Sequence, residues 1–146
     1  MIALLQRVTE ARVIVDGEIV GALGTGLLVF VAVQAEDGES QVRRMCERLL
    51  GYRIFADEAG RMNRSLSDIG GGLLLVPQFT LAAETAKGMR PSFTSAASLE
   101  HGRKWFEFLV EAARAAHAQV ETGRFGAHMQ VQLVNDGPAS FILRSS

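Results

Sequence analysis

Residues 70–81 read Gly70-Gly71-Gly72-Leu73-Leu74-Leu75-Val76-Pro77-Gln78-Phe79-Thr80-Leu81. The apolar run from Leu73 to Val76 is bounded by turn residues on both sides, the pattern of a strand buried on both faces. Its reading extends through Phe79. Pro77 carries no N–H, so it belongs at a sheet edge or at the strand's end. Gln78 and Thr80 directly after a buried strand are badly placed for a core and well placed for the rim of a pocket. An ordinary polar loop after a strand is the competing reading.

On either side of this stretch the chain supplies more strands than helices. Ile2–Val8 and Ala11–Val15 read as strands. Asp16-Gly17 then marks a two-residue hairpin turn into Glu18–Ala22. Leu27–Val33 is nearly all apolar and should lie centrally. Val42, Met45, Cys46, Leu49 and Leu50 form a helical stripe over 40–50, with Ser40 or Asp37 as the cap and Gly51 at the C-terminal stop. Cys46 on that stripe reads as an inert core residue.

Tyr52–Phe55 predicts a short strand, Arg61–Ile69 shows no clear period, and 82–97 predicts a long loop. Ser98 caps a second helix whose apolar face is Trp105, Phe106, Leu109, Ala112, Ala113 and Ala116. Arg103 and Glu107 on its wet side are spaced for an i,i+4 pair. Met129–Leu133 alternates as a strand with one wet face, Asn135–Pro138 reads as a turn, and Phe141–Leu143 as a last strand. The order argues an α+β fold with a mixed or antiparallel sheet, or a partly closed barrel, and two main helices. It forms a single domain over residues 1–146.

Composition excludes several classes of function. A net charge of −1 gives no general attraction to a nucleic-acid duplex or an anionic membrane, so any RNA contact should be local. The single cysteine allows no internal disulfide, and no apolar stretch reaches membrane-spanning length; the expected location is the cytoplasm. His101, His117 and His128 lack ligand spacing, so no metal site is expected. Gly70–Gly72 precedes a strand rather than a helix, the wrong order for cradling phosphate, and no Gly-x-Ser-x-Gly elbow is present. Two features survive. One is Gln78-Phe79-Thr80, whose backbone N–H groups suit an oxyanion if the strand end bends. The other is Asn135-Asp136-Gly137-Pro138. Only about 5–6% of X-Pro bonds in folded proteins are cis, so the residues alone predict a trans Gly137-Pro138 bond.

Met1-Ile-Ala-Leu-Leu-Gln-Arg-Val-Thr9, Gly51-Tyr-Arg-Ile-Phe55, Gln78-Phe-Thr-Leu81, Gly88-Met-Arg-Pro-Ser-Phe93, Thr122-Gly-Arg-Phe125 and Val134-Asn-Asp-Gly-Pro138 together resemble the D-aminoacyl-tRNA deacylase family. The likeness runs from the first residue to about Leu143. It implies a homodimer with its active site at the subunit interface. The implied reaction is hydrolysis of the ester between a D-amino acid and the terminal adenosine of tRNA, without cofactor. The tRNA 3′ end is then the partner.

Two pocket motifs of the family fall on Pro77–Leu81 and Asn135–Ser140. The resemblance makes the Gly137-Pro138 bond cis and inserts it into the partner subunit's pocket, where its carbonyls hold the substrate's α-ammonium. An L side chain would then meet backbone, while D side chains and glycine would not. Gln78, Phe79 and Thr80 become the catalytic stretch, with the Phe79 and Thr80 N–H groups as oxyanion donors. The tRNA 2′-hydroxyl assists the attacking water, and Thr80 serves as a positioning residue because no base adjoins it. Phe125 and Met129 match pocket-lining positions, and Arg7 one that helps fix the partner's Gly-Pro loop. Pro77 departs from the family's usual serine and Ser140 from its threonine. Proline at this place also occurs in a related branch acting on small L-aminoacyl-tRNAs, one alternative; a non-catalytic tRNA-binding module is another.

Overall fold

A computed structural model describes residues 1–146. The chain forms β1 (Ile2–Val15), β2 (Glu18–Leu23), β3 (Gly26–Ala32), α1 (Glu39–Gly51), β4 (Phe55–Ala56), β5 (Met62–Arg64), α2 (Leu66–Ile69) and β6 (Gly72–Pro77). A 3-10 turn over Phe79–Ala82 follows, then α3 (Leu99–Ala116), β7 (Val120–Thr122) and β8 (Gln130–Arg144). The main sheet runs β2-β1-β3-β6-β7, with β8 on the other side of β1; β4 and β5 form a separate two-stranded sheet. The sheet is mixed. β1 is antiparallel to β2, β3 and β8, while β6 is parallel to β3 and β7. It curls until β2 nears β7: a Cβ added to Gly21 would stand 2.5 Å from the Thr122 carbonyl oxygen. The fold is therefore α+β, a nearly closed mixed barrel with two main helices and the short α2.

The opening stretch explains this arrangement. β6 is buried from Gly72 to Val76 and sits between two parallel neighbours. Because strand side chains alternate faces, Leu73 and Leu75 join the core beneath α1 and α3, while Leu74 and Val76 point into the barrel with Val8, Val13 and Leu28. β3 does the same, with Leu27, Val29 and Val31 toward the helices and Leu28 inward. A strand flanked by two cores has no wet face, so its sequence cannot alternate. Val42, Met45, Cys46, Leu49 and Leu50 are all buried along α1, as their spacing predicts. Phe106, Leu109 and Ala113 are buried along α3, whose N-cap Ser98 accepts from the His101 N–H at 3.1 Å.

Several local expectations are corrected. Ile2–Val15 is one strand, since antiparallel pairing with β8 carries it past Thr9 and Glu10 with only register shifts. β6 ends at Pro77, not Phe79, because Gln78 donates to the Val31 carbonyl and the chain then winds into the 3-10 turn. Gly38, not Ser40 or Asp37, caps α1; its N–H donates to Gln41 Oε1 at 2.9 Å. Asp37 is engaged elsewhere, accepting from the Met1 ammonium (2.7 Å) and the Gln34 N–H (2.7 Å). Gly51 lies inside α1, which stops at an extended Tyr52. The short strand expected at 52–55 forms over Phe55–Ala56 against β5. Where no period was visible, Ser65 caps α2 reciprocally with Asp68. No helix is long and apolar enough to cross a membrane.

Candidate active site

The end of β6 opens into a cleft of about 630 Å³. Its wall comprises Pro77, Gln78 and Phe79 at the strand end, Phe93 from the 82–97 loop, Gly102 and Phe106 of α3, and Phe125 and Met129 from the segment entering β8. Gln78, Phe79, Phe125 and Met129, far apart in sequence, are brought together by the crossover that places β6 between β3 and β7. Phe79 is 64% exposed and packs against Phe93 with ring centroids 5.3 Å apart. Phe125 lies 6.1 Å from the Phe106 ring. Gly123 lets Met129 cross the cleft floor, since an added Cβ would lie 2.8 Å from the Met129 sulfur. That sulfur also accepts from the Arg124 N–H at 3.4 Å.

The 3-10 turn sets the polar rim. Phe79 and Thr80 are its first residues, ahead of any intra-turn acceptor, and neither N–H takes part in a turn, loop or cap backbone hydrogen bond. The Thr80 hydroxyl accepts from the Gln78 side-chain amide. Its partner is a neutral amide and not a base, so nothing here activates it as a nucleophile. Thr80 itself lies on the exposed turn beyond the lining residues.

Gly137 and Pro138 stand apart from their own chain's cleft. Gln6 pairs with Ser140 and Val8 with Asn135, so Asp136–Ala139 bulge out opposite the single residue Arg7. The region is part of β8 and not the plain turn expected, because both flanks continue the ladder with β1. The Gly137-Pro138 peptide bond is cis, against the expectation from the residues alone. Asn135 closes the base of the bulge: its Nδ2 donates to Ser140 Oγ at 2.8 Å and its Oδ1 accepts from the Ala139 N–H at 2.9 Å. Arg7 holds it from the opposite strand, donating through Nε to the Asp136 carbonyl (3.0 Å) and through a terminal nitrogen to the Ile54 carbonyl (2.7 Å). These are contacts within one chain. Gly137 has φ +136, and a Cβ there would lie 2.9 Å from the Arg7 guanidinium, so both conformation and space exclude a side chain. Gly137 and Pro138 are exposed.

No Asp, Glu, Lys or Arg lines the cleft, and His128 is the one ionisable side chain on its wall. His101 and His117 are committed elsewhere, to the Asp37 carbonyl (2.8 Å) and the Gly71 carbonyl (2.6 Å). Cys46 is buried on the inner face of α1; burial pushes its thiol pKa up, Glu47 adds to the rise and Arg43 opposes it. Phe93 and Gly102 were missed as lining residues. The sequence signals were the Gly88–Phe93 motif on a long loop for the first and a glycine inside a helix for the second.

The family described as D-Tyr-tRNA(Tyr) deacylase matches residues 4–144. A D-aminoacyl-tRNA deacylase of Methylococcus capsulatus (strain ATCC 33009 / NCIMB 11132 / Bath) is 65% identical over 144 residues, covering 99% of this chain and 94% of the relative. One from Stenotrophomonas maltophilia (strain K279a) is 63% identical, covering 99% of both. Among solved structures, the c-Myc DNA Unwinding Element Binding Protein superposes with a TM-score of 0.96 at 36% identity, covering 100% of this chain and 99% of the other. The probable eukaryotic D-amino acid tRNA deacylase (TM-score 0.83, 18% identity, 97% of each chain) shares the fold. With the match spanning nearly every residue, the chain belongs to the D-Tyr-tRNA(Tyr) deacylase family and is an enzyme of the aminoacyl-tRNA deacylase class.

Proposed function

We propose that the protein hydrolyses D-aminoacyl-tRNA to free D-amino acid and tRNA, that it also accepts glycyl-tRNA, and that it does so as a cytoplasmic homodimer. The carrying observation is the separation of two preformed parts. The cleft lined by Gln78, Phe79, Phe125 and Met129 lacks Gly137 and Pro138, which are held on an exposed bulge by Asn135 and Arg7. A second copy of the chain offers such a bulge to the cleft.

In this reading the cleft receives the terminal adenosine and aminoacyl group against Phe125 and Met129. The Gly137 and Pro138 carbonyls of the partner hold the α-ammonium. With ammonium and ester fixed, an L side chain runs into the partner's backbone, while a D side chain leaves the cleft. Rejection by clash needs no side-chain pocket and cannot exclude glycine. The free Phe79 and Thr80 N–H groups stabilise the developing oxyanion. Water attacks with help from the substrate's own 2′-hydroxyl, consistent with a Thr80 hydroxyl engaged by Gln78 and with the absence of a carboxylate from the cleft.

The test offers D-tyrosyl-, L-tyrosyl- and glycyl-tRNA to the purified protein and determines its mass by sedimentation. Fast release from the D and glycyl esters, slow release from the L ester, and a dimeric mass are expected. Equal D and L rates, or an active monomer, would overturn the reading. Pro77 favours one other outcome, since it places an N–H-less residue beside the site as in the branch acting on small L residues. Faster hydrolysis of L-alanyl- than of D-alanyl-tRNA would establish it.

A further inference from the structure

The cleft wall carries no positive charge, yet a tRNA 3′ end brings a phosphate with every nucleotide. On the hydrolase reading just given, those phosphates must be met outside the cleft. α3 provides a cation at its edge. Arg103 does not form the i,i+4 pair with Glu107 that its spacing predicts, and no carboxylate pairs with it. Its guanidinium instead lies over the Phe125 ring, 4.8 Å from the centroid, with one terminal nitrogen 3.8 Å from where a Gly126 Cβ would stand. Phe125 and Gly126 both line the cleft, and Gly102, the neighbour of Arg103, packs against Phe125 at 3.5 Å from its added Cβ. Arg124, just before Phe125, is exposed and also without a carboxylate partner.

We propose that Arg103, with Arg124, forms the phosphate-contacting rim of this cleft and takes the backbone of the single-stranded RNA 3′ end. The aromatic ring holds the guanidinium at the cleft mouth while leaving its N–H fork available, a geometry suited to phosphate oxygens. A flexible surface arginine would lose more side-chain entropy on binding than one already held over a ring. The arrangement also reconciles a nearly neutral chain with an RNA substrate. Charge is needed at one end of the RNA and not along a duplex.

The experiment compares two substrates, a D-aminoacyl-tRNA and the same D-aminoacyl ester on adenosine alone, with wild-type, Arg103→Ala, Arg103→Lys and Arg124→Ala proteins. Arg103→Ala should lower the ratio of kcat/KM for tRNA over that for the nucleoside roughly tenfold, mainly through KM. It should also flatten the dependence of log(kcat/KM) on log salt by about 0.7 for each single-strand phosphate that the protein no longer neutralises. Arg124→Ala should shift both in the same direction, and Arg103→Lys should recover most of the slope. An equal loss on both substrates would overturn the proposal, because it would mean that Arg103 only props up Phe125. An unchanged salt slope would overturn it as well. If the wild-type protein cleaves neither ester, the hydrolase reading fails and the rim is judged separately, from fluorescence anisotropy with uncharged tRNA. A flatter salt slope for Arg103→Ala then supports it, and an unchanged slope refutes it.

Discussion

Replacing Asn135 by alanine separates the two jobs assigned to the Gly137-Pro138 bulge, being held in shape and selecting the substrate. Asn135 makes two hydrogen bonds at the base of the bulge, to Ser140 Oγ at 2.8 Å and from the Ala139 N–H at 2.9 Å. The first lies in solvent and contributes about 0.5 kcal/mol, the low end for such bonds. The second involves Ala139, which is 5% exposed, so its N–H is left unpaired and costs about 1–2 kcal/mol. The closed bulge therefore loses about 2 kcal/mol, close to thirtyfold in its population relative to open forms. Asn135→Asp keeps an acceptor for the Ala139 N–H and can accept from the rotatable Ser140 hydroxyl, so it should stay within about 1 kcal/mol of wild type. The assay is the ratio of kcat/KM for D- and L-tyrosyl-tRNA, with thermal unfolding run alongside. Asn135→Ala should narrow D over L discrimination at least tenfold, and Asn135→Asp should largely preserve it. If the Ala variant melts earlier yet discriminates as well as wild type, the bulge does not select the hand of the amino acid and the reasoning fails.

Leu75→Ala, at a position with no exposure beneath the helices, should cost about 2–5 kcal/mol in chemical denaturation while leaving the barrel-side residues in place; a loss under 1 kcal/mol would contradict the two-core reading of β6. Asp37→Ala strips the buried Met1 ammonium of its carboxylate and should destabilise by about 3–5 kcal/mol in the same assay. Asp57 is held below the ordinary carboxylate range by hydrogen bonds from the Asn63 side chain and the Arg61 and Ala59 N–H groups, against a smaller opposing effect of desolvation. A lowered folded pKa contributes stability above the unfolded value of about 4 that is lost as pH falls through the folded one, so Asp57→Asn should flatten the acid limb of the stability curve below about pH 4 and leave pH dependence above it unchanged.

Legibility in the sequence followed the range of the interaction responsible. The α1 stripe, the Phe106, Leu109 and Ala113 part of the α3 stripe, the Ser98 cap and the Asp16-Gly17 hairpin depend on neighbours within a few residues and appear where the pattern puts them; Ala116, expected on the α3 apolar face, is exposed in the helix's last turn. Leu73–Val76 announced a doubly buried strand because two cores leave no wet face to encode. β7 went unread: Val120–Thr122 is too short to show a period and is a strand only because β6 lies beside it. Ile2–Val15 looked broken for a similar reason, since Thr9 and Glu10 are polar and only the ladder with β8 carries the chain through them. Arg103 shows the same effect at one side chain. Helical spacing offered it Glu107, and the tertiary neighbour Phe125 took it instead.

The site divides along that line. By itself the sequence determined the α+β class, the two long helices, the buried strand and, through its motifs, the residues worth watching at 77–80 and 135–138. Tertiary structure alone decided that Gln78, Phe79, Phe125 and Met129 share one cleft, that Phe93 and Gly102 join them, and that Gly137 and Pro138 lie outside its lining on an exposed bulge held by Arg7 and Asn135. Local periodicity fixes which face of an element is apolar. Register and crossover fix which distant faces meet, and those are settled by pairing energies between segments that carry no record of each other in their own order.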